Sequence, residues 1–239
     1  MKNSKFIAIA LSAALVFSGC NMNNTTKGGL IGGGSGAALG ALVGNIIGKD
    51  AKSTAIGAAI GTAVGTGAGV LIGKKMDKAK AAAEAVKNAQ VESVTDANGL
   101  QAVKVTFDSG ILFTTGSSTL SNDAKNSLTQ FANQVLKVNT DMDVAIQGYT
   151  DNQGWRNSTA EQSVQKNLEL SQQRAQAVST YLTSLGVASS QIKSTTGYGE
   201  ANPVADNSTA AGQAQNRRVE VYLYASKAMI EAAQNGTLQ

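Results

Sequence analysis

One aspartate and one arginine of this sequence are the side chains best placed to bind a charged ligand. Asp151 follows directly on the apolar run MDVAIQGY, and Arg174 lies within the segment NLELSQQRAQAV. If the run is a strand and the segment a helix, the two charges can face each other across a groove. Such a groove suits a ligand that carries an ammonium and a carboxylate on one carbon, because each charge of this zwitterion meets its opposite.

The neighbouring residues support this reading but leave a simpler one open. Asn167 and Ser171 are spaced to share one helix face with Arg174. Taken alone, however, Asp151 is more typical of a turn, since TDNQG has strong turn chemistry. Arg174 alone is more typical of a solvated helix charge. Arg217 and Arg218 alone are more typical of charges that keep a strand edge soluble.

The composition excludes several classes of function. The sequence contains no histidine, which removes the commonest general base and metal ligand, so we expect neither a catalytic triad nor a metal or cofactor. A hydrolase using Asp151 with Glu161 or Glu200 would need paired carboxylates in a shared motif, which is missing. The net charge of +4 is spread along the chain, so nucleic acid is not an expected partner. We therefore expect a binding protein and no enzyme.

Strands and helices that could position these side chains alternate over residues 100–225. Strand patterns occur in GLQAVKVTF, MDVAIQGY, QIKSTTGYG and RRVEVYLYA. Helix patterns separate the first three, one with Ser121 as a candidate N-cap and one ended by Gly186. The order β-α-β-α-β-β predicts one α/β (α+β) two-layer sandwich.

The N-terminal residues have the features of an export signal. Residues 1–19 begin with lysines, continue with an apolar run and end in small residues before Cys20, the only cysteine, as in a secretory signal peptide. The ending FSGC resembles a bacterial lipobox, which implies a lipid anchor on Cys20 and a lipidated N-terminus over residues 20–27. By the same resemblance, Asn21 favours the outer membrane. The alternative is an ordinary signal peptide with a bystander cysteine.

Residues 28–73 contain a glycine repeat. Glycine recurs at every fourth position over 32–48 and again over 57–73, with the polar KDAKSTA between the two runs. Glycine-ribbed helices can pack closely in membranes, and each arm would be about 30 Å long, near the thickness of a bilayer core. The repeat predicts a helical hairpin that associates with the membrane or forms a homo-oligomer, with a collapsible spacer as the alternative.

Two further segments flank the domain. Residues 74–95 are rich in alanine and lysine and predict a helix whose apolar face is too small for a core. We interpret it as a spacer or docking helix. Residues 226–239 are interpreted as a C-terminal tail.

Four separate blocks of the C-terminal half carry a family resemblance. FTTGSSTL, GYTDNQG, NLELSQQRAQAV and GYGEANPVADNSTAAGQAQNRRVEVYL occur in this order and together resemble the OmpA-like peptidoglycan-binding domain over roughly residues 100–225. With the lipobox and the glycine repeat included, the whole chain looks like an OmpA-family lipoprotein with an N-terminal glycine-zipper segment.

The resemblance implies roles for particular residues. Asp151 would bind the ammonium and Arg174 the carboxylate of diaminopimelate, a residue of peptidoglycan stem peptides. Asn167 and Arg217 would add polar contacts, and Thr115 with Gly116 would form part of the rim. The implied function is a non-catalytic tether between the outer membrane and the wall. The alternative is a membrane structural or assembly protein that acts through oligomerisation of the glycine hairpin.

The sequence departs from the family pattern at three places. Tyr149 stands where the family often has histidine, and Thr114 where it commonly has aspartate. The segment WRNSTAEQSVQK makes the connection after Asp151 longer than usual and contains Trp155, the only tryptophan, beside Arg156. This segment is either a surface elaboration or a lip that packs over a sugar or a neighbouring peptide.

Overall fold

The structure, a computed structural model, describes residues 66–95 and 100–238. The predicted signal peptide, the lipid anchor at Cys20 and residues 28–65 of the predicted hairpin lie outside these ranges. Within them, no helix combines the length and the apolar character that a membrane crossing requires.

A five-stranded sheet forms one layer of the domain. Its strands are β1 (Ala89–Thr95), β2 (Gln101–Asp108), β3 (Met142–Gly148), β4 (Ile192–Gly197) and β5 (Arg218–Ala225), in the order β1-β2-β5-β3-β4. Only β3 and β4 pair in parallel; the other neighbours are antiparallel. Every residue of the central β5 is buried. Because β2 and β3 both run antiparallel to β5, their C-terminal ends lie beside the N-terminal end of β5, at one end of the sheet.

Helices form the second layer. They are α1 (Thr66–Glu84), α2 (Ser109–Leu112), α3 (Asn122–Phe131, continued by the π-helical turn Ala132–Leu136), α4 (Ala160–Ser184), α5 (Ala210–Asn216) and α6 (Lys227–Gln234). The β-α-β-α-β-β order predicted for residues 100–225 is confirmed, with the short α2 and α5 as additions.

The main core lies between the sheet and the helices. Phe107 of β2 meets Phe131 of α3 edge to face, with ring centroids 5.7 Å apart and planes at 73°. Leu182 of α4 is fully buried in the same cluster. Alternate strand residues supply the sheet side of this core, as the pleat requires. The packing fixes the position of α4, the helix that carries Asn167 and Arg174.

The predicted ends of the two long domain helices are confirmed. The hydroxyl of Ser121 accepts a hydrogen bond of 3.0 Å from the N–H of Ala124 and so caps α3. Gly186, with φ of +90°, follows the last turn of α4, where a left-handed backbone favours glycine. At its start, α4 has a capping box between Thr159 and Gln162.

The helix predicted for residues 74–95 is wrong in extent and in role. It is α1, which begins within the predicted hairpin arm and ends eleven residues short, and the residues after it form the edge strand β1. Ile72 and Met76 of α1 are fully buried in the main core. The buried alanines of α1, Ala68, Ala79 and Ala83, are small enough for the helix to pack closely on α6 and on the sheet, so α1 is part of the fold.

The C-terminal tail is also corrected. Residues 227–234 form α6, and Ser226 caps its N-terminus, because the hydroxyl of Ser226 accepts a hydrogen bond from the N–H of Met229. Met229, Ile230 and Ala233 are buried in the main core. Their spacing places them on one helix face, and that face packs against α1.

Candidate functional site

A cavity of about 740 Å³ lies at the end of the sheet where β2 and β3 end and β5 begins. Its walls come from the segment after β2, the loop after β3, one face of α4, and Arg217 just before β5. Asp151, Arg174, Asn167, Arg217, Thr115 and Gly116, the six binding residues predicted from the sequence, all line it. The fold therefore brings together residues that are far apart in the chain.

The charged lining sets this cavity apart from its neighbour. Arg156, Arg174, Arg217 and Asp151 line it. A second cavity of about 710 Å³ lies between α3 and α4, and its lining includes one charged residue, Lys125, among the described residues. Only the first cavity thus offers both an anion and several cations to a ligand.

Asp151 is held in place by two contacts of its carboxylate. One oxygen, Oδ2, forms an ion pair with Nη1 of Arg217. The other, Oδ1, accepts a hydrogen bond of 3.1 Å from the N–H of Gln153. Each carboxylate oxygen has a second lone pair, so Asp151 can accept a further donor from a ligand.

Arg174 lies on the cavity face of α4 and is almost fully buried, with 3% of its surface exposed. Its Nε donates to the carbonyl of Ser117 at 3.0 Å, and its guanidinium lies 5.2 Å from the ring centre of Phe113. Burial, then the positive charge of Arg217, lower the pKa of Arg174, while Asp151 acts in the opposite direction. In the described part of the chain, Arg174 has no ion pair with a carboxylate.

Arg217 contacts both the loop after β3 and the segment after β2. Its side chain forms the ion pair with Asp151, and its carbonyl accepts a hydrogen bond of 2.9 Å from the N–H of Ser109. The sequence did not indicate that Asp151 would pair with Arg217, because the two residues are separated by the whole of α4, β4 and α5.

Asn167 uses its amide to hold the loop after β3. Its Nδ2 donates to the carbonyl of Gln153 at 3.1 Å and to Oε1 of Glu200 at 2.8 Å. Its Oδ1 accepts from the indole Nε1 of Trp155 at 2.7 Å. The amide is thus committed to protein partners, and Asn167 positions the cavity wall.

The inserted segment with Trp155 forms this wall. The backbone N–H of Trp155 donates to the hydroxyl of Ser163 at 3.0 Å. Nζ of Lys166 lies 5.9 Å from the centre of the indole ring and donates to Ser158 at 2.8 Å. Trp155 and Arg156 line the cavity, so the segment is a lip of the cavity.

The opposite rim is the loop that follows α2. Gly116 adopts a φ of +68°, which favours glycine, and Thr115 is exposed beside it. Arg174 reaches this loop through the carbonyl of Ser117. Thr114, which departs from the family pattern, also lines the cavity.

Two buried hydroxyls of the cavity lining were not predicted. Ser109 and Thr150 are 1% and 5% exposed, and among the described residues neither Oγ of Ser109 nor Oγ1 of Thr150 has a hydrogen-bond partner. Buried polar atoms are rarely left unpaired. Thr150 stands inside the GYTD motif, but its sequence gives no signal that its hydroxyl would be unpaired.

Glycines at the ends of β3 and β4 allow α4 to pack close to these strands. A Cβ on Gly148 would lie 2.2 Å from the carbonyl oxygen of Ser171, and one on Gly197 2.2 Å from the backbone nitrogen of Gln172. Any larger residue would push α4 outward. The close approach keeps Arg174 at the same end of the sheet as Asp151.

Tyr149 lies outside the cavity lining. Its ring stacks on Tyr198 with centroids 5.4 Å apart, and the guanidinium of Arg218 lies 3.9 Å from its centre. Burial, followed by the charge of Glu220, raises the pKa of Tyr149. The residue that replaces the family's histidine is therefore part of the packing beneath the site.

The cavity has one carboxylate in its described lining. Glu161 and Glu200, the candidate catalytic partners of Asp151, do not line it. Glu200 instead accepts the hydrogen bond from Asn167. The arrangement provides charges that can bind a ligand, without a pair of carboxylates for acid–base chemistry.

Two family models match the chain. That of the OmpA family matches residues 112–217, which include all six predicted binding residues. That of the YMGG-like Gly-zipper matches residues 1–77.

Relatives and solved structures agree with these matches. The chain is 45% identical to "Probable lipoprotein YiaD" of Escherichia coli over 119 residues, 50% of this chain and 47% of that protein. It is 46% identical to "Peptidoglycan-binding protein ArfA" of Mycobacterium tuberculosis over 86 residues, 36% of this chain and 24% of that protein. The matches thus span about half of the first relative and a quarter of the second. The cell wall anchor of the T6SS from Pseudomonas aeruginosa superposes with a TM-score of 0.50 at 26% identity, covering 63% of this chain and 97% of that structure.

Proposed function

The chain carries an OmpA-family domain over residues 112–217 and a YMGG-like Gly-zipper segment over residues 1–77, and from this premise we propose that it is an outer-membrane lipoprotein that binds peptidoglycan. The cavity domain holds the diaminopimelate of a stem peptide without catalysis. Cys20 carries the lipid that places the other end of the chain in the membrane. The protein thereby tethers the membrane to the wall.

The observation that carries the proposal is the buried Arg174 without a carboxylate partner in the described structure, in one cavity with Asp151. A buried guanidinium is costly unless a counter-charge compensates it. The carboxylate of a zwitterion supplies that charge, and its ammonium approaches the free lone pairs of Asp151. Arg217 holds Asp151 in position through their ion pair.

The names of the relatives support the two ends of the tether. One relative is called a probable lipoprotein and another a peptidoglycan-binding protein, and the similar structure is a cell wall anchor. The lipobox-like FSGC before Asn21 supports lipidation of Cys20 and the outer membrane. Oligomerisation through the glycine hairpin remains the alternative, and most of that segment, residues 28–65, lies outside the described ranges.

Sedimentation with purified sacculi tests the proposal. We expect Asp151→Ala and Arg174→Ala to lose most of the bound protein, and the exposed Asp123→Ala and Lys125→Ala of α3 to bind as the unchanged chain does. Amidating the zwitterion's carboxylate should weaken binding by about 1.5–3 kcal/mol, the contribution of a hydrogen bond to a charged group. Cosedimentation of both cavity variants at unchanged levels would refute the proposal.

A further inference from the structure

The charges that line the cavity are not balanced. Arg156, Arg174 and Arg217 line it together with a single carboxylate, Asp151, among the described residues. Asp151 is paired with Arg217, and in the described part of the chain neither Arg156 nor Arg174 has an ion-pair partner. A zwitterion carries no net charge, so its binding alone leaves an excess of positive charge in the cavity.

The two unpaired arginines differ in depth. Arg174 is buried beneath the rim loop, whereas Arg156 is exposed at the mouth. The backbone at Arg156 is held by its neighbour, because Trp155 binds Ser163 through its N–H and Asn167 through its indole. The cavity therefore presents one guanidinium at its base and another at its mouth, on a wall tied to α4.

We propose that the cavity takes a ligand with two carboxylates, that of the zwitterion at Arg174 and a second one at Arg156. The proposal rests on the proposed function, since it assigns the deeper arginine to the zwitterion. A stem peptide has further carboxylates close to the diaminopimelate, on the preceding residue and at the chain end. A guanidinium binds a carboxylate through two parallel hydrogen bonds, so Arg156 distinguishes a carboxylate from a carboxamide.

Peptide binding to the detergent-solubilised full chain tests this. Trp155 is the only tryptophan and lines the cavity, so its fluorescence reports occupancy. The probes are three stem peptides that share the zwitterion: one with both other carboxylates free, one amidated on the residue before the diaminopimelate, and one amidated at the chain end. The proteins are the unchanged chain, Arg156→Gln, and Lys125→Gln as a control with the same loss of charge.

We expect Arg156→Gln to weaken binding of the free peptide about fivefold at low salt, the upper range for an exposed ion pair. Binding of the peptide that lacks the recognised carboxylate should be weak in the unchanged chain and should not change further in Arg156→Gln. The amidated peptide that shows this behaviour identifies which carboxylate Arg156 binds. Lys125→Gln should leave all three affinities unchanged.

Equal weakening of all three peptides by Arg156→Gln, or no weakening of any, would overturn the second subsite. The proposed function would survive that result, provided that Asp151→Ala and Arg174→Ala still abolish binding. If the unchanged chain binds none of the three peptides, the proposed function and the second subsite are both wrong.

Discussion

The indole N–H of Trp155 donates a hydrogen bond of 2.7 Å to Oδ1 of Asn167, and this contact joins the loop after β3 to the middle of α4. The same amide holds Gln153 and Glu200. One side chain thus fixes the only tryptophan of the sequence at the edge of the cavity.

Asn167→Ala should release this wall. Without the amide, Trp155 loses its indole partner, so we expect its emission to shift to longer wavelength and its quenching by acrylamide to rise. The exposed Gln165→Ala, on the same helix, should leave both quantities unchanged. Identical quenching of Asn167→Ala and the unchanged chain would show that other contacts hold the ring.

The adjacent arginines 217 and 218 should behave differently when replaced. Arg218 is 4% exposed and binds Glu220 through Nε at 2.7 Å. Arg218→Gln removes the nearer ion-pair partner of the buried Glu220, which keeps only Tyr222 and the more distant Lys104, and should lower the free energy of unfolding by about 3 kcal/mol. The side chain of Arg217 is 36% exposed, so Arg217→Gln should cost only about 1 kcal/mol after solvent screening.

For ligand binding, we expect Arg217→Gln to have a larger effect than Arg218→Gln, the reverse of their effects on stability. Arg217→Gln removes a cavity guanidinium and the ion-pair partner of Asp151, and should weaken stem-peptide binding about fivefold. Urea unfolding and peptide titration of both variants check the two effects. Similar losses of stability in both variants would contradict this division of roles.

Thr150→Val should change stability and binding in opposite directions. The hydroxyl of Thr150 is buried with no partner among the described residues, so an apolar group of the same shape should raise the free energy of unfolding by about 1 kcal/mol. Because Thr150 lines the cavity beside Asp151, we expect ligand affinity to fall at the same time.

Thr129→Val is the matched control for that experiment. The hydroxyl of Thr129 donates to the carbonyl of Lys125 at 2.7 Å and lies 3.1 Å from the hydroxyl of Tyr181. Its loss should lower stability by about 1 kcal/mol and leave binding unchanged. A fall in stability for Thr150→Val as well would indicate that its hydroxyl has a structural partner.

Stability should decline at alkaline pH because of Tyr222. Burial, then the charge of Glu220, raise the pKa of Tyr222 above its ordinary value of 10.0. The folded state holds the phenolic proton more tightly than the unfolded chain. This contribution is fully present below pH 10 and is lost as the pH rises above it, by about 1.4 kcal/mol per pH unit.

Tyr222→Phe should make this dependence less steep, and the raised pKa of Tyr149 should account for the slope that remains. The substitution also removes the hydrogen bond of 2.6 Å to Glu220, so stability at pH 8 should fall by about 1 kcal/mol. Urea midpoints measured between pH 8 and pH 11 separate the two effects. An unchanged slope above pH 10 in Tyr222→Phe would exclude Tyr222 as the responsible group.

The sequence was sufficient for the features that depend on local patterns. Alternating apolar residues predicted the strands, and Ser121 and Gly186 marked helix ends that the structure confirms. The GYTD motif and the helix of Arg174 were placed at one cavity because a strand end and the following helix must meet there. These inferences use residues that are close in sequence or repeat with a fixed period.

Other features depend on packing between distant segments. The pairing of Asp151 with Arg217 requires knowing that β5 begins beside the end of β3. The role of α1 was missed because its alanines predict a weak apolar face, whereas its core contribution comes from Ile72 and Met76. The hydroxyls of Ser109 and Thr150 have no hydrogen-bond partner in the part of the chain that the structure describes, and no sequence pattern reports this.

Helix α1 has a mechanical consequence for the proposed tether. Residues 66–77 belong both to the Gly-zipper match and to a helix packed on α6 and the sheet. A load applied from the N-terminal side would reach the domain through α1 and would be opposed by the contacts of Ile72 and Met76 in the core. Because no described residue of α1 lines the ligand cavity, we expect a load that pulls α1 from the sheet to leave the walls of the cavity in place.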